Sequence, residues 1–161
     1  MMVNEPTSSA CYASEADDIY MGFAGREEIL AALNGLLEAE RAGARIALAS
    51  AKSASDPDYA ELMQSVRADE ARWCAMLSRQ IRRLGAAASR KTGAFCEKAL
   101  AIPDPLERLA FLNRGQAWVV RKLKALTPRI RDEALHADLR EMLESHRVNI
   151  DRAAAHLEAE H

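Results

Sequence analysis

The sequence predicts an all-α domain built as a four-helix bundle, with two antiparallel helix pairs joined by a long crossover. Three observations predict it. Ala and Leu dominate while aromatic residues make up only 5% and β-branched residues are few, a mix that favours helix. Apolar residues recur at helical spacing along four long stretches. Sharp start and stop signals separate those stretches. With 161 residues, 49% of them apolar, the chain suits one domain with a real core. Residues 1–24 read as a partly ordered arm and residues 25–161 as the bundle.

In the arm, Ser14 is placed to cap a short helix toward Met21, and Tyr12, Tyr20 and Phe23 are candidate anchors onto the bundle. The first long helix is expected from Arg26 to Lys52. Gly25 is its N-cap, and Glu27 and Glu28 suit the positive end of the helix dipole. Ile29, Leu33, Leu36, Leu37, Ala44, Ala47, Leu48 and Ala51 give it an apolar stripe. After a break at residues 53–56, Ser55-Asp56-Pro57-Asp58 starts a second helix, which runs to Leu84. Gly85 supplies the left-handed stop.

A linker of 20 residues, 85–104, follows, with a turn or two of helix expected over Phe95–Leu100. Asp104-Pro105-Leu106-Glu107 is a capping box that opens the third helix, ending at Leu126. Thr127-Pro128 is expected to end that helix and cap the fourth, which continues to Glu158. Short breaks within each pair imply antiparallel neighbours. A helix of 27 residues is about 40 Å long, and 20 extended residues reach about 60 Å. The linker can therefore travel the length of the bundle and leave the second and third helices parallel.

Composition narrows the function classes. The net charge is −2, whereas nucleic-acid binding calls for concentrated positive charge. Two basic groups exist: Arg121, Lys122, Lys124, Arg129 and Arg131, then Arg79, Arg82, Arg83, Arg90 and Lys91. They lack interleaved aromatics for base stacking and read as solvated surface. Cys11, Cys74 and Cys96 are odd in number and widely spaced, which fits free thiols in a reducing cytoplasm. The N-terminus lacks a basic start followed by an apolar run, and no window approaches a membrane span. A cytoplasmic protein without membrane attachment is the expectation.

The informative residues interrupt the apolar stripes. Glu40 falls on the apolar face of the first helix, Glu70 on that of the second and His146 on that of the fourth. Asn113 and Gln116 fall inward on the third. All lie near mid-helix, so packing the helices side by side brings them into one layer. A buried carboxylate is costly unless paired, hydrogen-bonded or bound to metal. Three arrangements meet that demand. Glu40, Glu70 and His146 could hold one Fe, Mn or Zn ion. A closed polar network could form, with Arg114 swinging inward to pair with the acids and with Asn113, Gln116 and His146 completing the hydrogen bonds. Or the rotational phase is shifted by one residue and the groups meet water. Cys74, Trp73 and Trp118 read as core or near-core residues, and His156 and His161 as solvent-facing.

Three segments carry a family resemblance: Leu36-Leu37-Glu38-Ala39-Glu40-Arg41-Ala42-Gly43-Ala44-Arg45, Asp69-Glu70-Ala71-Arg72-Trp73-Cys74 and Phe111-Leu112-Asn113-Arg114-Gly115-Gln116-Ala117-Trp118-Val119. They resemble an uncharacterised bacterial domain family of the ferritin-like superfamily over about residues 27–157. The di-iron members of that superfamily use a Glu, a Glu-x-x-His, a Glu and a second Glu-x-x-His on successive helices. By that resemblance Glu40 stands for the first ligand and Glu70 for the second. Trp73 occupies the first histidine position, Asn113 or Gln116 replaces the third acid, and Leu143 precedes His146 by three residues. Glu133 and His136 match the spacing but sit at the start of their helix, as a surface pair. Too few acids remain to bridge two metals.

The leading expectation is a cofactor-free, non-enzymatic or ligand-binding bundle, dimeric through an exposed helix face, with no ligand class specified. Its polar layer comprises Glu40, Glu70, Asn113, Arg114, Gln116 and His146. The rival is a metalloprotein with a single Fe, Mn or Zn ion in that layer, performing oxidoreductase or metal-handling chemistry.

Overall fold

The computed structural model describes residues 9–160, with side chains from Glu15 onward. Within these residues the protein is all-helical. The elements are α1 (Ser9–Tyr20), α2 (Arg26–Ser53), α3 (Pro57–Arg83), α4 (Phe95–Leu100), α5 (Pro105–Leu126), a 3-10 turn (Thr127–Arg129) and α6 (Glu133–Ala159). No helix among the described residues is long and apolar enough to cross a membrane.

Local chemistry sets most of these boundaries. Asp56 precedes Pro57 and its carboxylate accepts from the Asp58 N–H at 3.2 Å. Asp104 precedes Pro105 and accepts from the Glu107 N–H at 2.8 Å. Each satisfies one of the N–H groups that a helix start leaves without an internal partner. Gly85 ends α3 with φ +81°, in the left-handed region that costs an L-residue about 1–2 kcal/mol. Gly85→Ala is therefore expected to lower the unfolding free energy by about 1 kcal/mol; a chemical-denaturation midpoint checks it.

Two expected caps lie elsewhere. Thr127 does not cap the last helix. Its hydroxyl donates back to the Leu123 carbonyl at 2.6 Å, and the chain passes through the 3-10 turn before α6 begins. Asp132 is the cap, accepting from the Leu135 N–H at 2.8 Å. Ser14 lies inside α1, which begins at Ser9. Tyr20 is 89% exposed and anchors nothing, Phe23 is half-buried, and Tyr12 lies outside the described side chains. Polar contacts hold this segment instead. Glu15 accepts from the Arg26 N–H, the Ala24 N–H donates to the Arg129 carbonyl, and Asp18 pairs with Arg131.

The long helices pack α2 on α3, α5 on α6, α2 on α5 and α3 on α6. Hydrogen bonds at their ends give the directions. The Arg26 guanidinium at the start of α2 donates to the Leu84 carbonyl just past α3. Arg83 near the end of α3 pairs with Asp132 at the start of α6. Arg108 in the first turn of α5 reaches Ser50 near the end of α2. The segment after α3 lies along α2, where Arg41 donates to the Ser89 and Lys91 carbonyls and Asn34 accepts from the Ser89 N–H. α4 then packs on α2 and α5. Phe95 sits so close to α5 that a Cβ on Gly115 would lie 2.5 Å from its ring.

The buried apolar side chains form two clusters. One gathers Leu33, Leu36 and Leu37 with Trp73, Leu77, Leu123, Leu139 and Met142. The other gathers Ile46, Met63, Val66, Leu109 and Leu112 with Ala153 and α4. Each fully buried Leu, Ile or Met contributes about 1.5–3 kcal/mol by leaving water.

Several basic residues of the two groups are paired with acids. Arg129 pairs with Glu28, Arg131 with Asp18, Arg83 with Asp132, and Arg79 lies 3.8 Å from Asp138. Trp73 is buried and its indole N–H donates to the Ser145 hydroxyl, whereas Trp118 stands 38% exposed at the surface of α5.

Candidate functional site

Between the two apolar clusters lies a polar layer. Along each long helix one cluster stops and the other begins on either side of buried polar residues: Glu40 between Leu37 and Ala42, Glu70 between Val66 and Trp73, Gln116 between Leu112 and Val119, and His146 with Asn149 between Met142 and Ala153. Glu40 is 0% exposed, His146 1%, Glu70 2% and Gln116 3%. One ligand atom from each of Glu40, Glu70 and His146 lies within 4.8 Å of the others.

The hydrogen bonds define the imidazole. His146 Nδ1 lies 2.9 Å from the Met142 carbonyl oxygen, an acceptor only, so Nδ1 carries the proton and donates. Nε2 then points into the layer, 2.8 Å from Glu40 Oε1. In the metal-free protein one proton bridges that distance between the carboxyl and the ring. Burial pushes the Glu40 carboxyl up to about 8. Burial first, and then the charge of Glu40, hold Glu70 well above the usual carboxylate range.

The two carboxyls lie close enough to affect each other's proton, which lowers Glu40 and raises Glu70, yet two oxygens of the cluster have no well-formed hydrogen bond. Glu40 Oε2 and Glu70 Oε2 are both buried without a hydrogen bond, and so is Gln116 Oε1. No arginine answers them. Arg114 is exposed, with its guanidinium 5.6 Å over the Phe111 ring, so the expected inward swing does not occur. Its Cα direction on α5 carries it to solvent, where stacking and hydration outweigh burial of a charge. Asn113 is half-buried and donates to the Ile150 carbonyl of α6, apart from the acids. The structure thus brings together Glu40, Glu70 and His146, with Gln116 beside them, and leaves Asn113 and Arg114 out.

Gly43 makes the site sterically feasible. A Cβ there would lie 2.6 Å from Glu70 Cδ and 2.7 Å from Oε1. The carboxyl of Glu70 occupies the space that any other residue would fill. A glycine inside a helix one turn from a stripe acid is the sequence signal for such a close approach, and the hydrophobic pattern alone passes over it.

A cleft of about 430 Å³ leads from the surface to the layer. Its floor includes Glu40, Gly43, Glu70 and Gln116, and its mouth Arg114, Trp118 and Arg121. The cleft owes its outer wall to α4, whose Phe95 stacks on Phe111 with ring centres 4.7 Å apart.

This layer sits within residues 27–155, the span matched by the family model described as a domain of unknown function (DUF6306). The chain belongs to the DUF6306 family. No curated protein and no solved structure matches it. The DUF6306 span opens in the first turn of α2 and closes in the last turns of α6, so it takes in every residue of the polar layer, while α1 lies outside it.

Other candidates in this DUF6306 chain are weaker. Glu133 is exposed and His136 half-exposed, well away from the layer along α6. His156 does not face solvent as expected. Its side chain is 13% exposed and its ring lies 6.0 Å from that of Tyr59. His161 lies outside the described residues. Burial raises the Cys74 thiol to about 12, which makes it a poor thiolate and a packing residue.

Proposed function

We propose that this protein binds one divalent Fe, Mn or Zn ion through Glu40, Glu70 and His146, inside a ferritin-like four-helix bundle, at the floor of a cleft open to a small molecule. The observation that carries the reading is the pair of buried, unpartnered carboxylate oxygens, Glu40 Oε2 and Glu70 Oε2. A closed polar network needs every member satisfied, and the cation expected to satisfy these, Arg114, lies in solvent. A divalent ion answers both oxygens at once. His146 suits the role as well, because its Nδ1–H is held by a backbone carbonyl and its Nε2 is left free to ligate. Three protein ligands and an approach from the cleft leave room for an exogenous ligand. When bound, the ion supplies Lewis-acid or redox chemistry there. The protein's own residues supply the ligand set, the apolar walls that exclude water and the amide of Gln116 beside the acids.

The ferritin-like assignment is supported by the order of the helices. α2 and α3 form one hairpin and α5 and α6 another. The end contacts Arg26–Leu84, Arg83–Asp132 and Arg108–Ser50 pair starts with ends, which supports a parallel arrangement of α3 and α5. A connection through α4 along the bundle fits the crossover such a topology requires.

Elemental analysis of untagged protein tests the metal. One Fe, Mn or Zn per chain is expected, falling below one tenth in Glu40→Ala, Glu70→Ala and His146→Ala. Protein that holds no metal as purified and gains none on titration with millimolar Mn²⁺ or Zn²⁺ overturns the reading.

A further inference from the structure

The cleft has a chemical polarity of its own. Its walls, formed by Phe95, Phe111, Leu112 and Val119, are apolar. At its mouth stand Arg114 and Arg121, both exposed, one on each side of Trp118 along α5. The spacing 114, 118 and 121 places all three on one helix face. Neither guanidinium forms an ion pair among the described residues. A volume of about 430 Å³ lies in the range of small-molecule sites. An apolar pocket with a few convergent polar groups takes a ligand whose own polarity runs the same way.

We infer that the cleft binds an apolar monocarboxylate, with its aliphatic chain between Phe95, Phe111, Leu112 and Val119 and its carboxylate between Arg114 and Arg121. The two guanidiniums at the mouth give it the positive charge that a carboxylate head group requires, and either one can hold a carboxylate in a forked pair. In metal-free protein the opposite orientation buries the anion at a floor lined by two carboxyls and an amide, with no cationic side chain to pair it. Burial of the chain supplies the affinity, and the rim charges supply the choice of head group. Trp118 covers the first carbons of the chain. The far end of the chain stops at the polar layer, so the carbon presented to Glu40, Glu70 and His146 is a distal one. This assignment uses the floor of the proposed metal site but does not depend on an ion being there.

Isothermal titration calorimetry with decanoate, below its micelle-forming range, tests it on chelator-treated and on Zn²⁺-loaded protein. Decanoate is expected to bind both forms with one site per chain, and decanol and decylammonium to bind at least about tenfold more weakly. Arg114→Gln with Arg121→Gln is expected to weaken decanoate about tenfold while leaving decanol unchanged. Ala39→Phe, which fills the cleft beside Glu40, should abolish both, with the fold checked by circular dichroism. Equal affinity for the three head groups, or decanoate binding untouched by the double arginine substitution, overturns the inference. So does binding that appears only with Zn²⁺ and vanishes in Glu70→Ala, since the carboxylate then sits at the floor. Decanoate binding by protein that holds no metal upholds this inference and separates it from the metal reading.

Discussion

Gly43→Ala is expected to leave the protein folded and to weaken metal binding by roughly 100-fold, the loss that follows from displacing one of three ligands. Glycine inside a helix is unfavourable by about 0.5–1 kcal/mol relative to alanine. On propensity alone the substitution in the middle of α2 should stabilise. The added methyl, however, falls within 2.7 Å of Glu70 Oε1 and closer still to Oε2. Those atoms are the end of a flexible side chain, so the carboxyl can rotate away instead of splitting the helices apart. The open cleft beside it gives it somewhere to go. The propensity gain and the displacement offset each other, and the net stability change stays within about 1 kcal/mol. The site does not recover, because the displaced carboxyl no longer faces Glu40 and His146. Titration with Mn²⁺ or Zn²⁺, paired with a denaturation midpoint on metal-free protein, separates the two effects. A variant that keeps full metal affinity would show that Glu70 does not ligate.

Metal-free protein is expected to lose stability as pH rises from 5 to 8, by roughly 3 kcal/mol through Glu40 alone. The sign follows from the direction of the shift. Burial raises the Glu40 carboxyl from its ordinary 4.5 to about 8 in the folded chain. Between those values the native state binds a proton that the unfolded state has released. Native stability is greatest below the ordinary value and falls as pH climbs through about 8. Glu70 shifts in the same direction and adds to the slope. Urea midpoints measured with a chelator present read it directly. Glu40→Gln should make the profile shallower, because the amide can still hydrogen-bond His146 Nε2 and carries no titrating proton, while Glu70 keeps its share of the slope. Saturating Zn²⁺ should act the opposite way. The metal competes with protons for the same oxygens, so its stabilising effect grows with pH. A metal-free protein with a flat or rising profile over that range would mean that the two carboxyls are not buried together.

Much of the fold was legible because its signals are local. Asp56-Pro57, Asp104-Pro105 and Gly85 act on their own backbone neighbours, through a carboxylate within reach of an N–H or a φ that only glycine adopts cheaply. They placed three helix boundaries within a residue. Thr127 and Ser14 show the limit. A hydroxyl beside a candidate start reads as a cap, yet Thr127 turned back to Leu123 and Ser14 was absorbed into a longer helix, because neighbouring segments competed for the same turns.

The site was legible to a similar depth. Helical spacing put Glu40, Glu70 and His146 on apolar stripes at similar heights, and period alone suffices for that, since a residue one turn along a stripe must face the same way. What period does not contain is which side chains of different helices share a volume. Arg114 is one residue from Asn113 in sequence, but the rotation of α5 against its neighbours sends it to the mouth of the cleft. The cleft itself exists because α4 and the segment around Ser89 lie along α2, a path set by Arg41 and Asn34 across about 50 residues of chain. Gly43 gains its meaning only when Glu70 from another helix arrives beside it. The sequence by itself determined the helices and the faces they bury, through short-range hydrogen bonding and sterics. Only the tertiary structure decided that two acids and an imidazole meet with oxygens left over, because that depends on how closely, and at what rotation, the helices pack.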